Sequence, residues 1–188
     1  AAFFIGETIM QTVYLSAQAQ KRLKTGHLWV FSNEIDNKKS PLKQIEQGEQ
    51  VLLEGPDGKT IGYAFINPQS LIAGRIVSRK NPLSQTGLKK RIEQALAMRE
   101  QFYDAPFYRL VYGEGDFLPG LIIDRYNDVA VVQINSFGYL PFKEGLVDIL
   151  QRLGMQKVVL RNDGNSRKQE GLELAANEVF GDAPETVE

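Results

Sequence analysis

Glu49-Gln50-Val51-Leu52-Leu53-Glu54-Gly55-Pro56-Asp57-Gly58-Lys59-Thr60-Ile61-Gly62-Tyr63-Ala64-Phe65-Ile66 is two strands folded about a turn. Proline presets the backbone for a turn, aspartate can bond its own main chain, and glycine accepts a positive φ. The β-branched and aromatic runs on either side therefore pair as Glu49–Glu54 and Thr60–Ile66. Downstream, Asn67-Pro68 marks another turn and Leu71–Arg79 a further strand. Upstream, Thr12–Leu15 is a short strand. Ser16 can cap a helix over Ala17–Lys24, and Gly26 closes it. Gly26-His27-Leu28-Trp29-Val30-Phe31-Ser32 is aromatic-rich and extended. Short strands, frequent turn residues and one short helix predict a small β-barrel over residues 10–82.

The rhythm changes at Lys80-Asn81-Pro82-Leu83-Ser84. Leu88, Ile92, Leu96, Met98 and Phe102 recur at roughly helical spacing, which predicts a helix from Ser84 or Thr86 to Tyr103. Strands are expected at Tyr108–Tyr112, Gly120–Asp124 and Val129–Asn135, the last two joined at Asn127-Asp128. Pro141 opens a second helix that runs to Leu153, with Gly154 beyond it, and Lys157–Arg161 is the last strand. Residues 83–176 thus form an α+β domain with a mainly antiparallel sheet. Residues 1–9 are a short extension without the basic start or apolar core of a signal peptide. The polar stretch 177–188 reads as a linker.

Composition excludes more than it assigns. With no cysteine there is no disulfide, thiolate zinc site or cysteine nucleophile, and the single histidine, His27, rules out a histidine-rich metal centre. No run approaches the length of a membrane span, and a cytoplasmic location is expected. Residues 10–82 carry ten Lys/Arg against six Asp/Glu, whereas residues 83–188 carry twelve against sixteen. A basic front half on an acidic back half fits a nucleic-acid contact confined to the first domain.

Lys21, Arg22 and Lys24 end the first helix beside His27 and Trp29. Cations bind phosphates and an exposed aromatic face stacks a base, so this cluster is a candidate RNA surface, which Arg75 and Arg79 would continue. Equally, Trp29 and Phe31 could turn inward as core, with the cations a solvated face. Gly113-Glu114-Gly115-Asp116-Phe117-Leu118-Pro119-Gly120 lies between two strands. It is a hairpin loop in its plainest reading; with Asp124 it could also hold a metal or an acid/base pair. It is no phosphate cradle, since neither the following helix nor the lysine is there. Arg161-Asn162-Asp163 and Arg167-Lys168 lie at a strand end, where loops bind ligands or simply turn. These residues leave three readings open: an RNA-targeting part of a larger enzyme, a stand-alone RNA-binding or ribosome-assembly module, and a small-molecule metal enzyme around Glu114, Asp116 and Asp124.

The strings His27–Ser32, Tyr108–Val111, Gly113–Tyr126, Arg161–Asp163 and Arg167–Gly171, in this order, resemble the bacterial large-subunit ribosomal-RNA cytosine-carbon-5 methyltransferase family. Leu28 stands where that family has proline. The resemblance implies a PUA-type barrel for ribosomal RNA, a central α+β domain, and a third, S-adenosylmethionine-binding methyltransferase domain beyond this chain. On that barrel, the RNA contacts expected from charge and aromaticity are Lys21, Arg22, Lys24, His27, Trp29, Arg75 and Arg79. Interdomain or RNA contacts are implied at Arg109, Glu114, Asp116, Asp124, Arg125, Arg161 and Arg167. A homodimer is compatible with it. No Gly-rich strand-to-helix turn and no cysteine being found, this chain by itself is expected to be no enzyme, with no catalytic residue, no metal and no cofactor of its own.

Overall fold

The computed structural model describes residues 10–181. The extension 1–9 and the stretch 182–188 lie outside the described residues. Two five-stranded sheets follow one another along the chain.

The first sheet contains β1 (Thr12–Tyr14), β2 (Trp29–Val30), β3 (Gln50–Glu54), β4 (Thr60–Ile66) and β5 (Gly74–Ser78) in the order β1-β3-β4-β5-β2. Its centre is the hairpin expected from Gly55-Pro56-Asp57-Gly58: Gln50 faces Phe65 and Leu52 faces Tyr63. Gly58 takes a φ of 71°, which a side chain would resist. Helix α1 (Ala17–Lys24) is capped by Ser16, whose hydroxyl accepts from the Ala19 amide at 3.2 Å. Ala19 and Leu23, four residues apart, fall on one face and are fully buried against the curled sheet. That face leaves Lys21 and Lys24 exposed, at the helix end where the backbone dipole favours cations.

The second sheet contains β6 (Phe107–Tyr112), β7 (Leu121–Tyr126), β8 (Val129–Ile134), β9 (Lys157–Leu160) and β10 (Glu178–Phe180) in the order β10-β9-β8-β7-β6. Three of its four pairings are antiparallel; β8 and β9 run parallel, linked by α3 (Lys143–Arg152). Such a connection needs a crossover, and the helix supplies it. Helix α2 (Gln85–Arg99), capped by Ser84, buries Leu88, Ile92 and Ala95 beside α3 and the sheet. The fold is therefore α+β, a small curled β-sheet followed by a second sheet with helices.

Four elements depart from the sequence-based expectation. Helix α2 stops at Arg99 rather than Tyr103, and the expected stripe residues Met98 and Phe102 are exposed. The helix expected from Pro141 is a turn of 3-10 helix over Phe137–Phe142 that then becomes α3. A short helix, α4 (Asn165–Gln169), forms in polar sequence that offers no apolar periodicity. Residues 178–180, expected in a linker, are strand β10, paired antiparallel with β9. Its alternation is too short to read from sequence.

The two sheets share packing. Phe65 and Val77, from β4 and β5, belong to the hydrophobic core of the second sheet, while their neighbours Ala64 and Ile76 point into the first. β4 is buried on both faces. Phe65 packs edge-on against Tyr139 at 5.1 Å between centroids, and Gln50 exchanges two hydrogen bonds with the Leu83 backbone.

Candidate nucleic-acid interface

Where the sheets meet, the loop between β6 and β7 faces the start of β2. Gly113–Asp116 forms one turn of 3-10 helix, and Phe117 follows at a φ of 57°, unusual for a bulky residue. Three hydrogen bonds hold the loop in that shape. The Asp116 carboxylate, nearly buried, accepts from Arg99 at 2.6 Å and from the Tyr112 amide at 2.7 Å. Arg91 donates to the Phe117 carbonyl at 2.7 Å. Burial lowers the Arg91 pKa from its ordinary value. Phe117 is thereby presented to solvent, 60% exposed.

Across from it, Trp29 is 39% exposed, and its indole N–H donates to Glu114 Oε1 at 2.7 Å. Arg22 fixes the backbone there: it forms a two-point pair with Glu34 at 3.0 and 2.6 Å and donates to the Trp29 carbonyl at 2.7 Å. Arg22 also lies over the Phe31 ring at 5.1 Å. Arg79 donates to the carbonyls of Leu23 and His27, so it ties the end of α1 to the histidine turn. The result is an open cleft of about 360 Å³ between Gly26–Trp29, Arg22, Glu114 and Phe117.

A second cleft, about 320 Å³, adjoins it on the far side of Glu114 and is lined among others by Arg75, Gly113, Asn135, Ser166 and Glu170. Arg75 is buried and pairs with Glu170 at 2.5 Å. Asn67 donates to the Glu170 carbonyl at 2.9 Å and accepts from Gln47 at 3.0 Å. Asn135 is buried with its Oδ1 lacking a hydrogen-bond partner among the described residues. Gly113 takes a φ of 49°, and a Cβ there would meet the Gly120 and Leu121 backbone at 3.9 Å, an ordinary contact distance. The groups here that could hold a nucleoside-type cofactor are the carboxylate of Glu114, the free acceptor of Asn135 and the Ser166 hydroxyl, with Gly113 giving access to the backbone.

The candidates read from sequence are distributed as follows. Lys21, Lys24, His27 and Trp29 are exposed, with Lys24 only loosely paired to Asp57 at 3.3 Å. Arg22 and Arg79 stand at the same edge but spend their hydrogen bonds on protein carbonyls and Glu34. Arg75 lies inside the junction with Glu170 rather than on a continuing basic strip. Arg109 pairs with Asp124 at 2.8 Å, and that bond raises the arginine pKa. Arg125 reaches the Tyr108 hydroxyl at 3.0 Å; both pairs lie on β6 and β7. Arg161 forms an exposed pair with Asp163, whose carboxyl the arginine holds below the usual range. Arg167 is buried and donates to the Ile134 carbonyl at 2.8 Å; desolvation lowers its pKa. Glu114, Asp116 and Asp124 are engaged by Trp29, Arg99 and Arg109 respectively, and among the described residues no three His, Asp or Glu converge. Sequence reasoning passed over Phe117, Arg91 and Glu170 as individual residues. The exposed aromatic in a glycine-rich loop was the one available signal.

Residues 13–79 match the family model for a PUA-like domain. The chain is 35% identical over 179 residues to the ribosomal RNA large subunit methyltransferase I of Tolumonas auensis, covering 92% of this chain and 44% of that protein. It is 33% identical over 177 residues to the protein of the same name from Vibrio vulnificus, with 92% and 44% covered. Among solved structures, a protein of Streptococcus mutans assigned as a SAM-dependent methyltransferase superposes with a TM-score of 0.73 at 20% identity, over 94% of this chain and 45% of that one. A second protein assigned as a methyltransferase, complexed with SAH, superposes with a TM-score of 0.66 at 20% identity, over 80% and 40%. The chain thus spans less than half the length of the relatives it matches.

These matches correct one expectation. The chain was expected to be no enzyme and to have no cofactor of its own, and its relatives and structural neighbours are named as methyltransferases, one of them complexed with SAH. That exclusion rested on a missing cysteine and a missing glycine-rich turn, and a missing motif is weak ground for denying a function. Among the described residues no helix is long and apolar enough to cross a membrane.

Proposed function

We propose that this chain is the RNA-engaging part of a SAM-dependent methyltransferase that modifies cytosine carbon 5 in large-subunit ribosomal RNA. The observation that carries this reading is the cleft at the sheet junction. There the solvent-facing Trp29 ring, His27, Arg22 at the end of α1, and Glu114 and Phe117 of the held loop line one space, and Lys21 and Lys24 stand exposed on the same helix end. Cations hold the phosphate backbone and position it; the aromatic faces receive bases that the strand has splayed out. The PUA-like match over residues 13–79 and the names of the relatives support RNA as the polymer.

S-adenosylmethionine, when bound, supplies an electrophilic methyl group. In this chain, the groups suited to its polar ends are Glu114, Asn135 and Ser166 of the second cleft. Asn135 Oδ1 is buried without a hydrogen-bond partner among the described residues, so a bond to it is still to be made. Their part would be to orient the nucleoside beside the RNA cleft, with Glu114 lining both.

The reading is tested by gel shift of the purified chain with large-subunit ribosomal RNA fragments at two salt concentrations, beside calorimetric titration with S-adenosylmethionine. Binding that weakens steeply with salt is expected. Indifference to ribosomal RNA at low ionic strength would overturn the RNA assignment. Saturable heat with the methyl donor, diminished by Asn135→Leu, would support the second cleft as its seat, and its absence would remove that assignment alone.

A further inference from the structure

We propose that the cleft between Trp29 and Phe117 is a pocket for one unstacked guanine base, selected by the Glu114 carboxylate. This deepens the RNA reading above and rests on it for the origin of the base.

A carboxylate is out of place on a surface built for phosphates, because it repels them. Glu114 nevertheless lines the cleft beside Arg22 of α1, whose own charge is matched by Glu34. Asp116, two residues on, is neutralised by Arg99, whereas no salt bridge among the described residues involves Glu114. Its one side-chain hydrogen bond is the Trp29 indole on Oε1. An ionised carboxylate has about four lone-pair positions. Oε2 and the second position on Oε1 therefore remain available for donors. A negative acceptor beside two aromatic faces suits a neutral, flat ligand that brings N–H groups. A nucleobase is such a ligand, and it arrives already attached to the polymer that the cations hold.

The choice among bases follows from their Watson–Crick edges. Guanine presents two adjacent donors, N1–H and the N2 amine, which match the two oxygens of a carboxylate. Adenine and cytosine each offer one amine beside a bare ring nitrogen whose lone pair faces the second oxygen. Uracil offers one N–H between two carbonyls, and both would be repelled. A carboxylate therefore favours guanine over the other three.

The walls are suited to hold a plane. None of the close aromatic pairs among the described residues includes Trp29 or Phe117, so both rings are free to receive a base. Phe117 is kept exposed by a left-handed backbone that Arg91 and Asp116 hold in place. A bulky residue in that backbone conformation is uncommon, and at Phe117 it coincides with a ring that is 60% exposed. His27, exposed at the mouth, stands where the adjoining sugar or phosphate would pass.

Trp29 is the only tryptophan of the chain, so its fluorescence reports this pocket and nothing else. Hexauridylate carrying a single guanosine at its third position should quench it and bind at least about tenfold more tightly than the same oligomer carrying adenosine or uridine there. Inosine, which lacks the N2 amine, should fall between. Glu114→Gln keeps an acceptor for the indole but offers one acceptor and one donor; it should level the preference while leaving the free protein's emission maximum unchanged. Quenching that is absent, or equal for all four oligomers, overturns the guanine pocket even if ribosomal RNA still binds in the gel shift. Failure of the gel shift is a separate outcome, and it sinks the ribosomal RNA reading rather than the base preference measured on hexamers.

Discussion

Gly138 lies so close beneath Phe65 that a Cβ there would stand 2.0 Å from the ring. The contact joins the 3-10 turn before α3 to the central strand of the other sheet, and Tyr139 continues it edge-on. The Tyr139 hydroxyl is fully buried without a partner among the described residues, and burial pushes its pKa far above the usual phenol range. A site with no spare volume and an unpaired polar group tolerates little change. Gly138→Ala should therefore cost about 1–3 kcal/mol and lower Tm by roughly 3–10 °C in scanning calorimetry. Phe65→Ala alone should cost about 3–5 kcal/mol through its cavity. In the double variant the added methyl has room, so that variant's loss should be smaller than the sum of the two single losses. Simple additivity would show that the junction is looser than its geometry implies.

The Arg75–Glu170 pair makes the same point with charge. Its side chains are 10% and 14% exposed, and Asn67 and Gln47 extend the network. Breaking a buried pair leaves its partner charged and unmatched, so Arg75→Met should destabilise the chain by about 3–5 kcal/mol in urea unfolding. Glu170→Gln, which keeps an acceptor for the guanidinium, should cost visibly less. Equal losses would mean that packing, rather than pairing, holds this corner.

What sequence could and could not disclose follows from the range of each interaction. Ser16 was readable as a helix cap because a cap bonds a backbone amide three residues away, and Ser84, read only as a possible helix start, makes the same bond. The Gly55–Gly58 turn was readable for the same reason. Trp29 with Glu114 and Arg75 with Glu170 are separated by 85 and 95 residues, and nothing local marks them as partners. Arg75 looked like a surface cation because strand alternation says which residues share a face, not whether a second sheet covers it. β4 was recognised as a strand, but its burial on both faces depends on the second sheet. Short α4 and β10 have too few apolar positions to set a period, and tertiary pairing alone makes them regular.

The cations at the end of α1 give a prediction separable from the guanine pocket. Lys21 has no ion pair among the described residues and Lys24 only an exposed one, so each is free to neutralise a phosphate. Lys21→Gln and Lys24→Gln should each reduce the steepness of log K against log salt by about 0.7–0.9 in ribosomal RNA binding. Arg152→Gln, on α3 and paired with Asp148, should leave the slope alone. A slope that survives both lysine changes would move the phosphate contacts elsewhere.

The attachment of β10 should depend on pH in a window that two groups define. Glu178 accepts from Lys143 at 2.9 Å, and that bond, ahead of the opposing desolvation, holds its carboxyl below the usual glutamate range. The same bond raises the Lys143 pKa above that of a free lysine. For the glutamate, folded-state pKa below unfolded means that its contribution is present above the unfolded value and lost as pH falls through the folded one. For the lysine, the contribution is present below the unfolded value and lost as pH rises through the folded one. Between those limits the pair stands, and β10 stays tied to the start of α3. Hydrogen exchange of the β10 amides, corrected for intrinsic pH dependence, should therefore be flat through neutrality and accelerate toward the acid limb. Both groups are partly exposed, so the effect should be modest and weaken with added salt. Lys143→Met should remove the bond-dependent part of the acid limb while leaving the β9–β10 backbone pairing in place. An exchange profile that is the same in the variant and the parent would show that backbone pairing alone retains the strand.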